Sequence, residues 1–461
     1  MKDTIVQLKE ERMNAIMTFI RKICFLSTCY LFFALLVSGC GGIKQIVQKD
    51  SPRDKYEKSL ELSGLTKAAL GREWKIAGEK VLQDTFEIKI PFKEAGYFFS
   101  DRANALSYCF EAKKGERLLI KLERDEIHKM LVFMELFTVQ GKGNSRSLKR
   151  VAFADSTQLT IEEEASKNQK YLLRLQPELM NGGRYILTIA INPSLAFPVK
   201  GKDARAIGSR FGDGRDNGKR KHEGVDIFAP KRNPVVAVTD GIITRTSNGG
   251  LGGKVIWMSG LHDHENFYYA HLDSQIVHPG ETVKQGEILG LVGNTGNARH
   301  SSPHLHFGIY LPGAGAIDPF PFINDIGKRP ADIQADQDNI GSWARIKSNK
   351  AFLKSAPEIK SAVIRALDVN TPVEIYAASS NFYKVKLPGS LDGFVESKYV
   401  EKAIGYKYIA KLDKSRPIFD APAGNGVLIE YLSENANLKI YGEYNGFFLV
   451  RNNDYWGWIA K

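Results

Sequence analysis

Short runs in which apolar and polar residues alternate recur along this chain and constrain its fold more than any other feature. Clear examples between residues 70 and 195 are "TFEIKIPF", "RLLIKLE", "LTIEEEA" and "RYILTIAI". Alternation places every second side chain on the same face of a strand, and Gly, Asn and Lys between the runs favour hairpin turns. We therefore predict a mostly β, multidomain protein in which residues 66–195 form an antiparallel β-sandwich.

The N-terminal region has the layout of an export signal. Residues 23–39 carry no charge and follow Arg21 and Lys22. A basic segment followed by an apolar one is typical of a signal peptide, and the apolar run is marginal for spanning a hydrocarbon core of ~30 Å. A non-cleaved membrane anchor is the alternative, and Met13 or Met17 is an alternative start.

The apolar run ends in "LVSGC", which resembles the signal of bacterial lipoproteins. The resemblance implies that residues 1–39 are removed and that Cys40 is lipidated, so that the protein is exported and held to the membrane. Residues 40–65 are polar and are predicted to be a tether. Because Gly41 follows the cysteine, resemblance to sorted lipoproteins implies the outer membrane, facing the periplasm, in a Gram-negative cell.

Two C-terminal segments repeat each other. "TPVEIYAASSNFYKVKLPGSLDGFVESK" aligns with "ANLKIYGEYNGFFLVRNNDYWGWIAK" at one constant offset. Repeats of short strands that end in Gly-aromatic pairs predict two small β-barrels, at 343–403 and 404–461, after a polar linker at 327–342. The repeats resemble bacterial Src-homology-3-type (SH3-like) domains, which commonly bind cell wall or pack on an attached enzyme.

The formal net charge of +12 is compatible with an anionic partner or with a soluble basic surface. The Lys and Arg residues are spread along the chain, and no dense basic block with interleaved aromatics occurs. We therefore predict no nucleic-acid partner.

Residues 196–326 contain three patches with metal-binding or catalytic residue types. In "HEGVDIF", extended chain would place His222 and Asp226 on one face. In "YYAHLDS", His271 lies in an apolar run and by itself would fit a packed core. In "PHLHFGIY", a strand would place His304 and His306 on one face and Leu305 on the other.

Zinc is the ion that these residue types suit. Imidazole nitrogens and a carboxylate oxygen are common zinc ligands, and catalytic sites use three protein ligands plus a water molecule. Two His and one Asp leave one unit of positive charge on the ion, which lowers the pKa of water toward ~7 and polarises a carbonyl.

In their joint order these motifs resemble the lysostaphin- and LytM-type zinc metallopeptidases, which cut peptide cross-links in peptidoglycan. "SRFGDGR", "PVVAVTDGIIT" and "GETVKQGEILGLVGNTGN" extend the resemblance over about residues 205–320. It implies an antiparallel β domain that binds one Zn²⁺ per chain and acts on peptidoglycan. By the same resemblance, His222, Asp226 and His306 are the zinc ligands, and His271 and His304 are the catalytic histidines.

The implied reaction is metal-assisted amide hydrolysis. One of His271 and His304 takes the proton of water, and the other hydrogen-bonds the oxyanion or the leaving amine. Family members resembling lysostaphin have a tyrosine shortly before the first ligand, and here "GDGRDNGKRK" has none. Arg215 or Arg220 is the candidate substitute.

Two other functions stay open. Some exported proteins of this fold have lost zinc ligands and activate cell-wall amidases. The presence of all five site residues in this chain argues against that function. Alternatively, wall binding by the terminal barrels is the main role. A regulatory protein partner is unknown. The remaining histidines of the region occupy loop-like contexts and are predicted to be ordinary solvated side chains: His262, His264, His278 and His300.

Overall fold

The computed structural model describes residues 49–83, 86–124, 130–141, 145–215, 218–261, 265–324, 329–389, 391–402, 405–422, 426–452 and 455–461. The predicted signal segment and Cys40 lie outside these residues, as do His262 and His264. Contacts divide the chain into two units, Met1–Asp50 and Ser51–Lys461. Among the described residues, no helix combines the length and the apolar character that crossing a membrane requires.

The second unit begins with a pair of helices, α1 (Pro52–Leu62) and α2 (Ala69–Lys80), followed by a 3₁₀ turn at Val81–Gln83. Ser51 caps α1 through a capping box with Asp54, and Pro52 occupies the first turn, which are strong helix-start signals. Leu60 and Trp74 pack against Phe133 of the following sheet. Helix α1 therefore occupies much of the segment predicted to be a tether, because its buried side chains attach it to the sandwich.

Two four-stranded antiparallel layers form the β-sandwich. One layer has the order β1-β8-β3-β6 and the other β2-β7-β4-β5, and one apolar core fills the space between them. The strand bounds are β1 Phe92–Phe98, β2 Leu106–Ala112, β3 Glu116–Arg124, β4 Val132–Gln140, β5 Ser147–Phe153, β6 Thr160–Glu164, β7 Gln169–Pro177 and β8 Gly183–Pro193.

The central domain is built on an antiparallel sheet of order β18-β14-β15-β16-β20-β12-β9, with β21 beside β20. A small sheet, β13-β19-β17, covers its buried face, and β10 and β11 form a separate hairpin. The bounds are β9 Ile207–Ser209, β10 Gly214–Arg215, β11 Arg220–Lys221, β12 Val225–Phe228, β13 Pro234–Val236, β14 Gly241–Asn248, β15 Lys254–Gly260, β16 Asn266–Leu272, β17 Ser274–Gln275, β18 Thr282–Val283, β19 Ile288–Leu291, β20 His304–Leu311, β21 Gly315–Ile317 and α3 Phe320–Ile323.

Two further β modules complete the chain. Their bounds are β22 Ser342–Ile346, β23 Phe352–Lys354, β24 Val363–Ala366, β25 Pro372–Ser379, β26 Phe382–Lys386, β27 Asp392–Glu396 and β28 Val400–Lys402 in the first, and β29 Tyr408–Lys411, β30 Arg416–Phe419, β31 Leu428–Leu432, β32 Asn437–Tyr444, β33 Phe447–Asn452 and β34 Tyr455–Ala460 in the second. The mostly β, multidomain fold is confirmed.

The first C-terminal module is joined to the sandwich by backbone pairing. Strand β25 pairs with β1, with Ala378 opposite Ala95, so one sheet continues from one module into the other. Ala335 and Ile340, which lie in the predicted linker, are buried in the core of the same module. The segment before β22 is thus packed against the barrel, since its apolar side chains fill the barrel core.

Candidate metal centre

Strand β20 carries two histidines on one face of the central sheet. His304 and His306 point to one side, and Leu305 and Phe307 are fully buried on the other. This is the alternation that the sequence pattern predicts. The register of β12 against β20 places Asp226 directly opposite His306, so the carboxylate and the imidazole meet on the same face.

His222 reaches this face from a loop. Its backbone N–H donates to the carbonyl of Asp213 and its carbonyl accepts from the N–H of Gly212, both at 2.8 Å. The expectation that His222 and Asp226 share one extended strand is wrong, because β12 begins only at Val225. The loop before the strand, held by the 212–213 segment, brings the ring to the carboxylate instead.

Three potential ligand atoms converge at nearly equal distances. His222 Nε2 lies 3.0 Å from Asp226 Oδ1 and 2.9 Å from His306 Nδ1, and the latter lies 3.1 Å from the same Asp226 oxygen. His222 and Asp226 are buried and His306 is partly so. The three atoms form a triangle that one metal ion can bridge.

A hydrogen bond at the second ring nitrogen of His222, Nδ1, orients the ring. Nδ1 lies 2.8 Å from the carbonyl oxygen of Arg210, which can only accept, so Nδ1 carries a proton and Nε2 is the nitrogen that faces Asp226 and His306. In their neutral metal-binding forms, the lone pairs of His222 Nε2 and His306 Nδ1 would repel at 2.9 Å unless a proton or cation lay between them. Two imidazole nitrogens and one carboxylate oxygen are a donor set that fits zinc.

Asp226 is held in its ionised form. Burial raises the pKa of its carboxyl, but hydrogen bonds and charge interactions with His222 and His306 outweigh burial and bring that pKa well below its usual range. Arg215 Nη2 donates to Asp226 Oδ2 at 2.6 Å and to Ser209 Oγ at 2.7 Å. The carboxylate is therefore oriented with Oδ1 toward the histidines.

Of the two arginines considered as substitutes for the missing tyrosine, Arg215 touches the site. Arg220 lies opposite it across the β10–β11 hairpin and is exposed. Arg215 contacts Asp226, which is a candidate ligand, and is therefore a positioning residue.

His271 reaches the site because of an unusual backbone conformation. It has a φ of 62°, which is uncommon for a residue other than glycine, and its N–H donates to the carbonyl of Gly252 at 2.8 Å. Regular alternation would send its ring into the core beside Tyr269. The kink instead places the ring centroid 5.1 Å from that of His304, with Nδ1 2.9 Å from the carbonyl oxygen of Thr295.

His304 is oriented in the same way as His271. Its Nδ1 lies 2.8 Å from the carbonyl oxygen of Ser302, and its Nε2 faces Asp226 Oδ1 at 4.0 Å. Burial and the neighbouring His304 and His306 lower the pKa of His271 to about 4, so its ring is neutral at neutral pH. The Nε2 atom of each ring, which accepts a proton when the ring is neutral, thus lies at the edge of the candidate metal centre.

The structure brings all five predicted site residues together, whereas His278 and His300 are exposed. The backbone carbonyls of Arg210, Thr295 and Ser302, which orient the three imidazole rings, were not predicted from the sequence. A backbone carbonyl leaves no signature in the residue type, so only the fold reveals these contacts.

An antiparallel β domain with a two-histidine, one-carboxylate cluster and two adjacent proton acceptors has the make-up of a metallohydrolase. Residues 220–319 match the model of Peptidase family M23, and residues 349–401 match the Bacterial SH3 domain. The chain therefore contains an M23 peptidase domain and a bacterial SH3 domain.

Similar proteins include an L-Ala–D-Glu endopeptidase of Bacillus subtilis, 33% identical over 28% of this chain and 42% of that protein. Another is the peptidoglycan DD-endopeptidase ShyC of Vibrio cholerae, 32% identical over 29% of each chain. The chain thus spans less than half the length of these relatives. The catalytic domain of lysostaphin from Staphylococcus simulans is 34% identical over 25% of this chain and 89% of that domain, with a TM-score of 0.23.

Proposed function

We propose that this protein is a zinc-dependent endopeptidase that hydrolyses peptide cross-links of peptidoglycan. The observation that carries the proposal is the convergence of His222, Asp226 and His306 beside His271 and His304 in an M23 domain. A similar protein whose name states a peptidoglycan DD-endopeptidase activity supports the substrate class.

In this proposal His222, Asp226 and His306 would hold the zinc ion. When bound, zinc supplies a positive charge that polarises the scissile carbonyl and lowers the pKa of water. Arg215 fixes the orientation of the Asp226 carboxylate through its bond to Oδ2. The carbonyl of Arg210 keeps the proton of His222 away from the ligand side.

His271 and His304 move the protons. The hydrogen bonds of both Nδ1 atoms to backbone carbonyls leave both Nε2 atoms facing the reaction. One ring accepts the proton of the attacking water, and the other ring, carrying a proton on Nε2, hydrogen-bonds the oxyanion or protonates the leaving amine. Burial of both rings limits competing contact with solvent.

The arrangement does not favour an inactive activator of amidases, because such a protein would need neither the ligand triangle nor two tautomer-fixed histidines. The test is digestion of purified sacculi by the full chain in detergent, with and without 1,10-phenanthroline, and with zinc added back. Peptide-bond cleavage that chelation stops and zinc restores is expected, with fragments identified by mass spectrometry. Chelator-insensitive cleavage, cleavage of glycan only, or digestion only when an amidase is added would contradict the proposal.

We propose further that the chain is a lipoprotein anchored through Cys40, in the outer membrane facing the periplasm if the cell is Gram-negative. The "LVSGC" motif supports the anchor. Metabolic labelling with an alkyne fatty acid should label the wild type and not Cys40→Ala. Equal labelling of both would rule out this residue as the lipidation site.

A further inference from the structure

A strip of aromatic side chains extends from the candidate metal centre along the same face of the sheet. We call Trp257, Tyr268 and Tyr310 the aromatic strip. Trp257 of β15 lies opposite Tyr268 of β16, and Tyr268 lies opposite Gly308 of β20. Because Gly308 and Tyr310 follow His306 at even spacing, all of these residues share the face that carries the histidines.

The three rings contact one another and the metal centre. The ring centroid of Trp257 lies 4.5 Å from that of Tyr268 and 5.2 Å from that of Tyr310, and the Tyr268 centroid lies 5.8 Å from that of His306. All three aromatic residues are partly exposed, whereas Phe307 on the opposite face is fully buried. The strip is thus an open surface continuous with the site.

Glycines keep this surface clear. A Cβ at Gly252 would lie 2.1 Å from the Tyr268 hydroxyl, so a larger residue there would displace the ring. Gly308 places no side chain between His306 and Tyr310. A ligand held over the metal centre can therefore extend over the rings.

The rim of the strip is polar. The exposed Arg245 guanidinium lies over the Trp257 ring, 5.6 Å from its centroid. On the other side, the Tyr310 hydroxyl donates to Glu223 Oε2 at 3.4 Å. Apolar ring faces with hydrogen-bonding groups at the edges suit a ligand that is itself flat, apolar on its faces and polar around its edge.

A peptide strand could not bind here by backbone pairing. Strands β15, β16 and β20 each have a neighbour on both sides, so their backbone groups are already used in the sheet. Only contact with the side-chain face is available. The C–H groups on the face of a pyranose ring are attracted to the electron-rich face of an aromatic ring, while its hydroxyl and acetamido groups reach the rim.

We propose that the aromatic strip is a subsite for one or two sugar rings of the glycan strand that carries the scissile peptide. The strip crosses three adjacent strands, a width of about 10 Å at the usual strand separation. This inference rests on the proposed function, because it takes peptidoglycan as the substrate, and it adds recognition of the glycan to recognition of the peptide.

The test compares two substrates of the full-length protein: a muropeptide dimer with its disaccharides, and the same dimer after the sugars have been removed. For the wild type we expect a kcat/KM about tenfold higher on the sugar-bearing dimer, comparable to the loss of one ring-stacking contact. In Trp257→Ala the ratio of the two kcat/KM values should fall toward one. Ile76→Ala, which removes an exposed apolar side chain of helix α2, is the control and should keep the wild-type ratio.

Direct binding separates this inference from the proposed function. Chitotetraose, an N-acetylglucosamine oligomer, is titrated into each protein by calorimetry, and binding should persist in Trp257→Phe and be lost in Trp257→Ala. Circular dichroism verifies that both variants fold. Failure of the wild type to cleave either dimer would contradict the proposed function. In that case the titration would still show whether the aromatic strip binds sugar. Equal kcat/KM on both dimers, or absence of chitotetraose binding to the wild type, would overturn the inference.

Discussion

Arg215 holds the outer oxygen of Asp226 at 2.6 Å, while the inner oxygen of the same carboxylate faces His222 and His306. The arginine belongs to the β10–β11 hairpin and the aspartate to β12, so the hairpin and the sheet meet at the candidate ligand. This contact provides the orientation that a metal-binding carboxylate needs.

Replacing Arg215 should therefore weaken the metal site without removing a ligand. For Arg215→Ala we expect zinc affinity to fall about 10- to 100-fold, the usual effect of losing a partner that orients a ligand. Competition with a fluorescent chelator measures the affinity. Arg117→Ala, which removes an exposed partner of Glu164 in the β-sandwich, is the control. Unchanged affinity in Arg215→Ala would show that the contact does not support the site.

Loss of a proposed ligand should abolish both metal and activity. In His306→Ala only one imidazole and the carboxylate remain, and two ligands rarely retain the ion. Metal analysis of the purified variant should give far less than one zinc per chain, and sacculus digestion should stop. Full zinc occupancy in this variant would exclude His306 as a ligand.

His304→Ala should separate binding from catalysis. The side chain lies next to the ligands, with Nε2 4.0 Å from Asp226 Oδ1, yet it is not part of the ligand triangle. We expect zinc content to stay near the wild-type value and kcat to fall about 10²–10⁴-fold, the usual contribution of a proton-transferring group. If zinc were lost instead, the roles of the two β20 histidines would have to be exchanged.

The backbone at His271 predicts a difference between two substitutions. Both His271→Asn and His271→Val remove the imidazole, but asparagine adopts a positive φ more readily than a β-branched residue does. We expect the valine variant to be less stable by about 1–2 kcal/mol, measured by urea denaturation. Equal stability of the two would indicate that the kink is not maintained in solution.

Acid should release the metal. Imidazole ligands bind as neutral groups, so protons compete with zinc and the affinity falls as the pH decreases. Dialysis at pH 7 and at pH 4, followed by metal analysis, should show loss at the lower pH and recovery after neutralisation with added zinc. Full retention at pH 4 would argue against a site built from two histidines.

Local pattern was sufficient for several features. The alternation in "PHLHFGIY" predicts which side chains of β20 face the site, because the side-chain period of a strand is two residues. The constant offset between the C-terminal segments likewise predicts two similar β modules. The capping box at Ser51 was also present in the sequence, although the segment lacked the apolar periodicity by which helices are usually recognised.

The chain alone thus determined the β character, the modules and the five residue types that meet at the centre. The tertiary structure decided how they meet. His271 turns toward His304 only because of a positive φ, and Arg215 reaches Asp226 only because a hairpin folds over β12. The pairing of β1 with β25 joins residues far apart in sequence. Periodicity reports on neighbours along one strand, whereas these contacts depend on backbone kinks and on long-range pairing, which no local pattern encodes.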